Sequence, residues 1–173
     1  MLNDVTPDFK SELRARLPEA AFRDVAPAYI EDPRGRGTGQ AALVVAPGSV
    51  EEVSSVLAAA HRSRVPVVPF GGGTGLVGGQ IVPDGPAPVV LSMERMARIR
   101  SVDREGAVVV AEAGAILQDV QSAARDVGLL FPLSLASQGS ARIGGNLGTN
   151  AGGVNVVRYG NTRDLCLGIE AVL

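Results

Sequence analysis

The 173-residue sequence has few of the side chains on which most catalytic and metal sites depend. Lys10 is the only lysine, so a P-loop is excluded, and a Schiff-base enzyme would have to use a residue of the polar N-terminal stretch. Cys166 is the only cysteine, which excludes an internal disulfide and a multi-cysteine metal site, and its apolar neighbours predict a small buried side chain. His61 is the only histidine, so no site built from several histidines can form. The sequence therefore predicts no metal site and names no catalytic residue.

Charge of one sign and long apolar runs are also missing. The 16 basic and 18 acidic residues give a net charge of -2, and no run of Lys or Arg occurs, which argues against a nucleic-acid partner. No apolar run approaches the length that spans a membrane. The N-terminus mixes acidic and basic residues and lacks the apolar core of a secretion signal, so a cytoplasmic protein without a transmembrane segment is expected.

The order of predicted elements indicates an α+β fold in which a lobe of parallel strands precedes an antiparallel lobe. Helices are expected at 6–17, at 49–64 with a capping box of Ser49 and Glu52, and at 116–127 ended by Gly128. Strands are expected at 41–46, 65–70 and 88–92, as a hairpin at 98–103 and 107–113, and at 167–173.

These elements divide the chain into three parts, with a boundary between the lobes near residues 93 to 98. Residues 1–40 are interpreted as an N-terminal helix and a loop (29–40), residues 41–97 as the first lobe, and residues 98–173 as the second lobe. The last strand stops without a cap or a polar tail, so the second lobe is expected to be incomplete, with an exposed sheet edge near Val172 and Leu173 that favours aggregation.

Glycine is abundant, and its distribution is uneven. Of 22 glycines, six lie between Gly71 and Gly79 and six between Gly139 and Gly153. Such clustering costs backbone entropy and is typical of a main chain that closely approaches something else.

The first cluster contains the spacing G-x-G-x-x-G and follows a strand, as in a dinucleotide-binding fingerprint. That fingerprint needs a helix immediately afterwards, and Pro83, Pro86 and Pro88 prevent one. Two interpretations remain. The backbone N–H groups, helped by the Thr74 hydroxyl, can bind phosphate or pyrophosphate, or the segment is a surface loop without a function.

The second cluster, residues 132–153, alternates Ser, Thr and Asn with Gly and small apolar residues. This composition suits a flat, partly apolar ligand with polar edges, and it equally suits a tight crossing of backbone segments. Arg142 lies beside it and could pair with an anion, although an ordinary surface arginine is the favoured interpretation. Two such clusters without nearby histidines or paired carboxylates indicate a cofactor that brings its own chemistry.

These residues resemble a known family, and the second cluster carries most of the resemblance. The matching segments are 69–79, Gly139-Ser140 with Ile143-Gly144-Gly145-Asn146, Thr149 to Gly153, Arg158-Tyr159-Gly160, Arg163-Asp164 and Leu167 to Glu170. Over residues 30 to 173 the chain is similar to the p-cresol-methylhydroxylase-type FAD domain, and within it to the FAD-linked oxidases. That branch includes D-lactate dehydrogenases, D-2-hydroxyglutarate dehydrogenases and the flavin subunit of glycolate oxidase.

The resemblance implies an FAD-binding domain of two α/β lobes, with cofactor-binding residues in four groups. Around the pyrophosphate and ribose it implies Pro69, Phe70, Gly71, Gly72, Gly73, Thr74, Gly75 and Gly79. Lining the cofactor it implies Pro132, Leu133, Ser137, Gly139 and Ser140. Near the isoalloxazine and diphosphate it implies Ile143, Gly144, Gly145, Asn146, Thr149, Asn150, Ala151, Gly152 and Gly153. Near the adenine it implies Glu170 and Val172.

The same resemblance implies oxidation of a small D-2-hydroxy acid by hydride transfer to FAD, with an unidentified electron acceptor. Some members of the superfamily hold FAD covalently through a histidine in the first loop, where this chain has Thr74 and Gly75, so non-covalent FAD is expected. The substrate-binding and metal-binding parts of the family lie beyond residue 173, so the chain alone is expected to be inactive. Two alternatives stay open: a non-catalytic subunit that binds FAD or another nucleotide, and a reductase of the enolpyruvyl-UDP-sugar type.

Overall fold

The computed structural model describes residues 1–173 and divides into two compact units. The first contains Met1–Arg95 with Ala171–Leu173, and the second contains Met96–Glu170. The helices are α1 (Pro7–Arg16), α2 (Pro27–Ile30), α3 (Val50–Ser63), α4 (Leu117–Asp126), α5 (Ile143–Thr149) and α6 (Val156–Tyr159). The strands are β1 (Phe22–Arg23), β2 (Leu43–Val45), β3 (Val67–Phe70), β4 (Val89–Ser92), β5 (Ile99–Asp103) and β6 (Val108–Ala111).

The first unit is built around a four-stranded sheet in the order β1-β2-β4-β3. Strands β2, β4 and β3 are parallel, and β1 joins β2 antiparallel. β4 lies in the middle, and all four of its residues are buried, as expected for a strand with a parallel neighbour on each side. The carboxyl ends of the parallel strands meet at one edge, and there β3 leads directly into the first glycine cluster.

Helix caps in the first unit follow the sequence closely, with one correction. Thr6 accepts a hydrogen bond from the Phe9 N–H at the start of α1, and Ser49 accepts from the Glu52 N–H at the start of α3. The Glu52 carboxylate, however, accepts from the Gly48 N–H at 2.7 Å. The predicted capping box is therefore wrong in its second half, because the reciprocal bond reaches one residue further back.

The second unit contains the hairpin β5–β6, against which α4 packs. The hairpin turns at residues 104–107, as predicted, and its register shifts once between Ile99 and Ser101. Leu117, Val120 and Ala124 are the buried face of α4, and Gly128, at φ 77°, follows its end as predicted. The predicted α+β organisation, with parallel strands followed by antiparallel ones, is confirmed.

The predicted strand at 167–173 is wrong, and so is the sheet edge expected there. No neighbouring strand pairs with this segment, and its side chains at Leu167, Ile169 and Leu173 are exposed. An apolar run becomes a strand only where a partner takes up its backbone groups. The predicted loop at 29–40 begins as the end of α2, and β1 was not expected at all.

Candidate functional site

The first glycine loop, defined here as residues 71–80, starts where β3 ends. No helix follows it between residues 81 and 88, so the exclusion of a dinucleotide-binding fingerprint is confirmed. Gly73 and Gly78 have φ angles of 67° and 74°, which L side chains rarely adopt. The loop therefore depends on glycine at two positions for its backbone path.

The backbone N–H groups and carbonyls of this loop differ in whether they have hydrogen-bond partners. None of the N–H groups from Gly71 to Gln80 donates a hydrogen bond within the chain. Three of its carbonyls do accept, that of Gly73 from Gln80 Nε2 at 3.2 Å, that of Gly78 from the Ile81 N–H at 3.0 Å, and that of Leu76 from Arg36. Three of its ten carbonyls are thus engaged and all ten N–H groups are free, so the loop can offer several donors to an anionic ligand.

The ring of Phe70 lies against this loop, close to Gly73. The Phe70 side chain is 8% exposed and packs with Val44 and Val90. Tyr29 meets the Phe70 ring edge-on, with ring centroids 5.1 Å apart. A Cβ at Gly73 would lie 3.0 Å from the Phe70 ring. Of the predicted site residues, Phe70 therefore has its side chain in the core, and only its main chain remains for contact with a ligand.

The second glycine cluster contains a helix, α5, that the sequence did not predict. Three of its seven residues are glycine, the poorest helix former after proline. Tertiary hydrogen bonds hold its first turn, from the Ile143 N–H to the Ala115 carbonyl at 3.0 Å and from the Gly144 N–H to the Ala113 carbonyl at 2.7 Å. The helix therefore forms because a neighbouring segment fixes its start.

The glycines of this cluster fall into two kinds. A Cβ at Gly144 would lie 2.8 Å from the Ala113 Cβ, and one at Gly153 would lie 2.0 Å from the Ser134 carbonyl oxygen. At these two positions the tight crossing of backbone segments is the correct interpretation. A Cβ at Gly145 or Gly148 would meet nothing within 4 Å, so that side of α5 is open to close approach.

Two side chains of this cluster carry polar groups that nothing in the chain uses. Asn146 is 5% exposed, and its Nδ2 is buried without an acceptor. Arg142 donates from its guanidinium to the Gly114 carbonyl at 2.5 Å, while its Nε has no acceptor. The interpretation of Arg142 as an ordinary surface residue is wrong, because the side chain is partly buried and its guanidinium bonds to the segment between β6 and α4.

A turn at residues 160–165 supports the far end of α5. Arg163 donates to the carbonyls of Leu147 at 3.0 Å and Gly148 at 2.8 Å, and its N–H donates to Asn150 Oδ1 at 3.1 Å. Asn150 is left-handed, with φ 52°. Sequence reasoning gave Arg163 no role, since its partners lie at least 13 positions away and share no periodic pattern with it.

Three further predicted residues are Leu133, Glu170 and Val172. Leu133 is 2% exposed, so its side chain belongs to the core. Glu170 pairs with Arg100 at 3.0 Å, and Val172 belongs to the first unit. The prediction that Cys166 is buried is wrong, because its side chain is half-buried and its Sγ lies 3.4 Å from the Gly168 carbonyl oxygen.

Two further structural findings concern metals and membranes. No three side chains of His, Cys, Asp or Glu lie together in a group that could hold a metal ion. None of the helices combines the length and apolarity needed to cross a bilayer.

Comparison with known proteins gives one family and several relatives. A family model described as an FAD binding domain matches residues 41–173, more than half of the chain. A D-2-hydroxyglutarate dehydrogenase of Xanthomonas citri pv. viticola is 42% identical over 144 residues, which cover 83% of this chain and 30% of the relative. A mitochondrial D-2-hydroxyglutarate dehydrogenase of Arabidopsis thaliana is 42% identical over 135 residues, covering 78% of this chain and 24% of the relative. The chain thus spans less than a third of either relative.

Solved structures share the fold at lower identity. An alkyldihydroxyacetonephosphate synthase matches with a TM-score of 0.82 and 24% identity, covering 96% of this chain and 32% of its own. Phl p 4, a grass pollen allergen with glucose dehydrogenase activity, matches with a TM-score of 0.77 and 19% identity, covering 90% of this chain and 34% of its own.

Proposed function

Because the chain belongs to the FAD binding domain family, we propose that it is the FAD-binding portion of a dehydrogenase that oxidises a D-2-hydroxy acid to the 2-oxo acid. Family membership also confirms the resemblance drawn from the sequence. The observation that carries the proposal is the first glycine loop, whose N–H groups are all free while three of its carbonyls are engaged. The names of the relatives support the substrate class.

The free N–H groups of the first glycine loop suit the pyrophosphate of FAD, and the open side of α5 suits its flavin ring. A pyrophosphate needs several donors without a side chain in the way, and the loop from Gly71 to Gln80 offers them. A flat flavin ring needs small residues against it and directed polar groups at its edge. The open side of α5 at Gly145 and Gly148 supports that role for the second cluster.

The chemistry divides between cofactor and protein. When bound, FAD supplies the acceptor for the hydride that leaves C2 of the hydroxy acid. The residues of this chain bind and orient the cofactor through fixed backbone donors, which need no rearrangement when charge develops. We place the base that removes the hydroxyl proton in the part of the relatives that this chain does not match, so residues 1–173 alone are inactive. The proposal also requires a separate electron acceptor.

We further propose that FAD is held without a covalent bond. The first glycine loop contains no histidine, cysteine or tyrosine, and the single histidine, His61, is an exposed residue of α3. Residues 41–97 and 98–173 are proposed as the two FAD-binding lobes, preceded by residues 1–40. The cytoplasm stays the predicted compartment, while the name of the Arabidopsis relative includes mitochondria.

Absorption spectroscopy of the purified chain tests this proposal. The chain is incubated with excess FAD, freed of unbound cofactor, and precipitated with acid. We expect a flavin spectrum before precipitation and the same flavin in the supernatant afterwards. Colour that stays with the pellet would contradict the non-covalent attachment, and a folded chain that retains no flavin would contradict FAD binding itself.

A further inference from the structure

A compact turn at residues 31–39 precedes the sheet of the first unit. The Asp32 N–H donates to the Gly37 carbonyl at 2.9 Å, the Gly35 N–H donates to the Asp32 carbonyl at 2.8 Å, and Glu31 pairs with Thr38. The Asp32 side chain is 3% exposed and accepts from the Arg34 N–H at 2.7 Å. The turn is thus organised around one buried carboxylate.

This turn is attached to the first glycine loop by one side chain, and the residues that follow the two segments also meet. Just after the turn, the Gln40 N–H donates to the Val82 carbonyl at 3.0 Å, and a Cβ at Gly39 would lie 2.4 Å from Ile81. In the middle of the loop, the Arg36 guanidinium donates to the Leu76 carbonyl. The same guanidinium lies 3.5 Å from the Asp32 carboxylate, measured from Nε to Oδ1.

A bond to a carbonyl determines the direction of the next N–H group. Because a trans peptide is planar, the C=O of Leu76 and the N–H of Val77 point in opposite directions. Arg36 therefore turns the Val77 N–H away from itself and away from the 31–39 turn. The bonds to the Gly73 and Gly78 carbonyls fix two more peptide groups, Gly73–Thr74 and Gly78–Gly79, in the same way.

We propose that Asp32 and Arg36 are positioning residues for the first glycine loop. Arg36 holds the Leu76 carbonyl and thereby presents the Val77 N–H to the phosphate groups of the ligand, and Asp32 fixes the guanidinium. The inference rests on the proposed function, since it assumes that the ligand of the loop is FAD.

Removing the charge of Asp32 would have opposite effects on FAD binding, depending on whether Arg36 positions the loop or contacts the phosphate directly. Asp32 compensates the charge of Arg36, and the Arg34 N–H, with Arg36, holds the pKa of Asp32 below its usual value although burial acts in the opposite direction. If Arg36 contacted the phosphate itself, removing the Asp32 charge would strengthen FAD binding. If Arg36 acts on the Leu76 carbonyl, removing that charge loosens the guanidinium and weakens binding.

The test measures the FAD dissociation constant of the whole chain by quenching of flavin fluorescence. Arg36→Met is expected to weaken binding roughly tenfold, as the loss of one charge-assisted hydrogen bond predicts, and Asp32→Asn severalfold. Arg36→Lys keeps a cationic donor, so its FAD dissociation constant should stay within about threefold of that of the original chain. Arg34→Met is the matched control, because Arg34 is exposed in the same turn and its side chain makes no hydrogen bond or ion pair, and it should bind normally.

A second readout does not depend on the cofactor. Amide exchange of residues 71–80 without FAD should be faster in Arg36→Met than in Arg34→Met, measured at a temperature well below the unfolding midpoint of both variants. Unchanged binding by Arg36→Met, or tighter binding by Asp32→Asn, overturns the positioning role while FAD binding stands. If Arg36→Met does not fold, the comparison of Asp32→Asn with Arg36→Lys decides the outcome. An original chain that binds no FAD overturns the proposed function and this inference together.

Discussion

Adjacent residues of α5 illustrate how differently two glycines contribute to one element. Gly144 is packed against Ala113, whereas Gly145 is exposed with open space where a side chain would begin. The sequence shows both only as members of one cluster. Which of them the fold needs, and which a ligand needs, depends on the neighbouring backbone, which lies more than 25 positions away in the chain.

Alanine at these two positions should have opposite effects. Gly144→Ala is expected to destabilise the chain by about 1–3 kcal/mol, because its Cβ must displace Ala113. Gly145→Ala should stabilise it by up to about 1 kcal/mol through helix propensity, while weakening FAD binding. Chemical unfolding measures the two changes in stability, and fluorescence titration measures FAD binding. Gly145→Ala that binds FAD as well as the original chain would contradict the placement of the cofactor on this side of α5.

Glu112 is the most deeply buried carboxylate of the second unit. Its side chain is 1% exposed and accepts from the Arg98 guanidinium at 2.8 Å and from the Arg98 N–H at 2.8 Å. Hydrogen bonds from the Arg98 side chain hold the pKa of Glu112 below its usual value, and they outweigh the effect of burial. A lowered pKa in the folded state means that the fold favours the ionised carboxylate.

The stabilisation from Glu112 should therefore be complete above the unfolded pKa near 4.5 and disappear as the pH falls through the lower folded value. Glu112→Gln is expected to cost about 1–3 kcal/mol of unfolding free energy at pH 7 and to flatten the loss of stability below pH 5. Glu105→Gln, at an exposed position of the hairpin turn, is the control. Parallel pH profiles for Glu112→Gln and the original chain would contradict this assignment.

Some helices and strands can be predicted from neighbouring residues, whereas others form only through contacts with distant parts of the chain. The first caps of α1 and α3, the end of α4 at Gly128 and the turn of the hairpin are each encoded within a few residues, so the sequence alone predicts them. Two-residue β1 has no periodicity, and α5 contradicts its own propensity, so neither could be predicted. Both glycine clusters are likewise recognisable in the sequence. The hydrogen bonds that Arg36 and Arg163 donate to their carbonyls are not, because they join segments that are distant in the chain.

The β5–β6 hairpin contains a residue whose backbone is strained. Ala107 has φ 52°, a conformation that costs an L-residue about 1 kcal/mol. Ala107→Gly should therefore stabilise the chain by up to about 1 kcal/mol in chemical unfolding. The same change at Ala111, within β6, should destabilise it by a similar amount, because glycine loses more entropy in a strand. Equal effects of the two changes would argue against the strain at Ala107.

Exposed apolar side chains are concentrated in the last part of the second unit. Val154, Val157, Leu167 and Ile169 are each more than three-quarters exposed. Exposed apolar side chains on this scale favour association. We therefore attribute the association predicted from the sequence to these side chains rather than to a sheet edge at Val172 and Leu173.

We expect the chain to self-associate with rising concentration in size-exclusion chromatography with light scattering. The double variant Val157→Glu and Ile169→Glu should shift the equilibrium towards the monomer. Val25→Glu, at a half-exposed position of the first unit, is the control and should leave it unchanged. A monomer at all concentrations, or an equal shift by Val25→Glu, would contradict this explanation.

We propose that residues 1–173 bind FAD, and a fluorescence titration of FAD with the purified chain tests this proposal most directly. We expect saturable binding of one FAD per chain, with a dissociation constant of about 10 μM or lower, equivalent to about 7 kcal/mol or more. We also expect weaker binding by Gly73→Ala, whose Cβ would be forced against Phe70 at a φ of 67°. A chain that unfolds cooperatively but binds no FAD would contradict FAD binding, and equal binding with alanine at Gly73 would contradict the role of the first glycine loop.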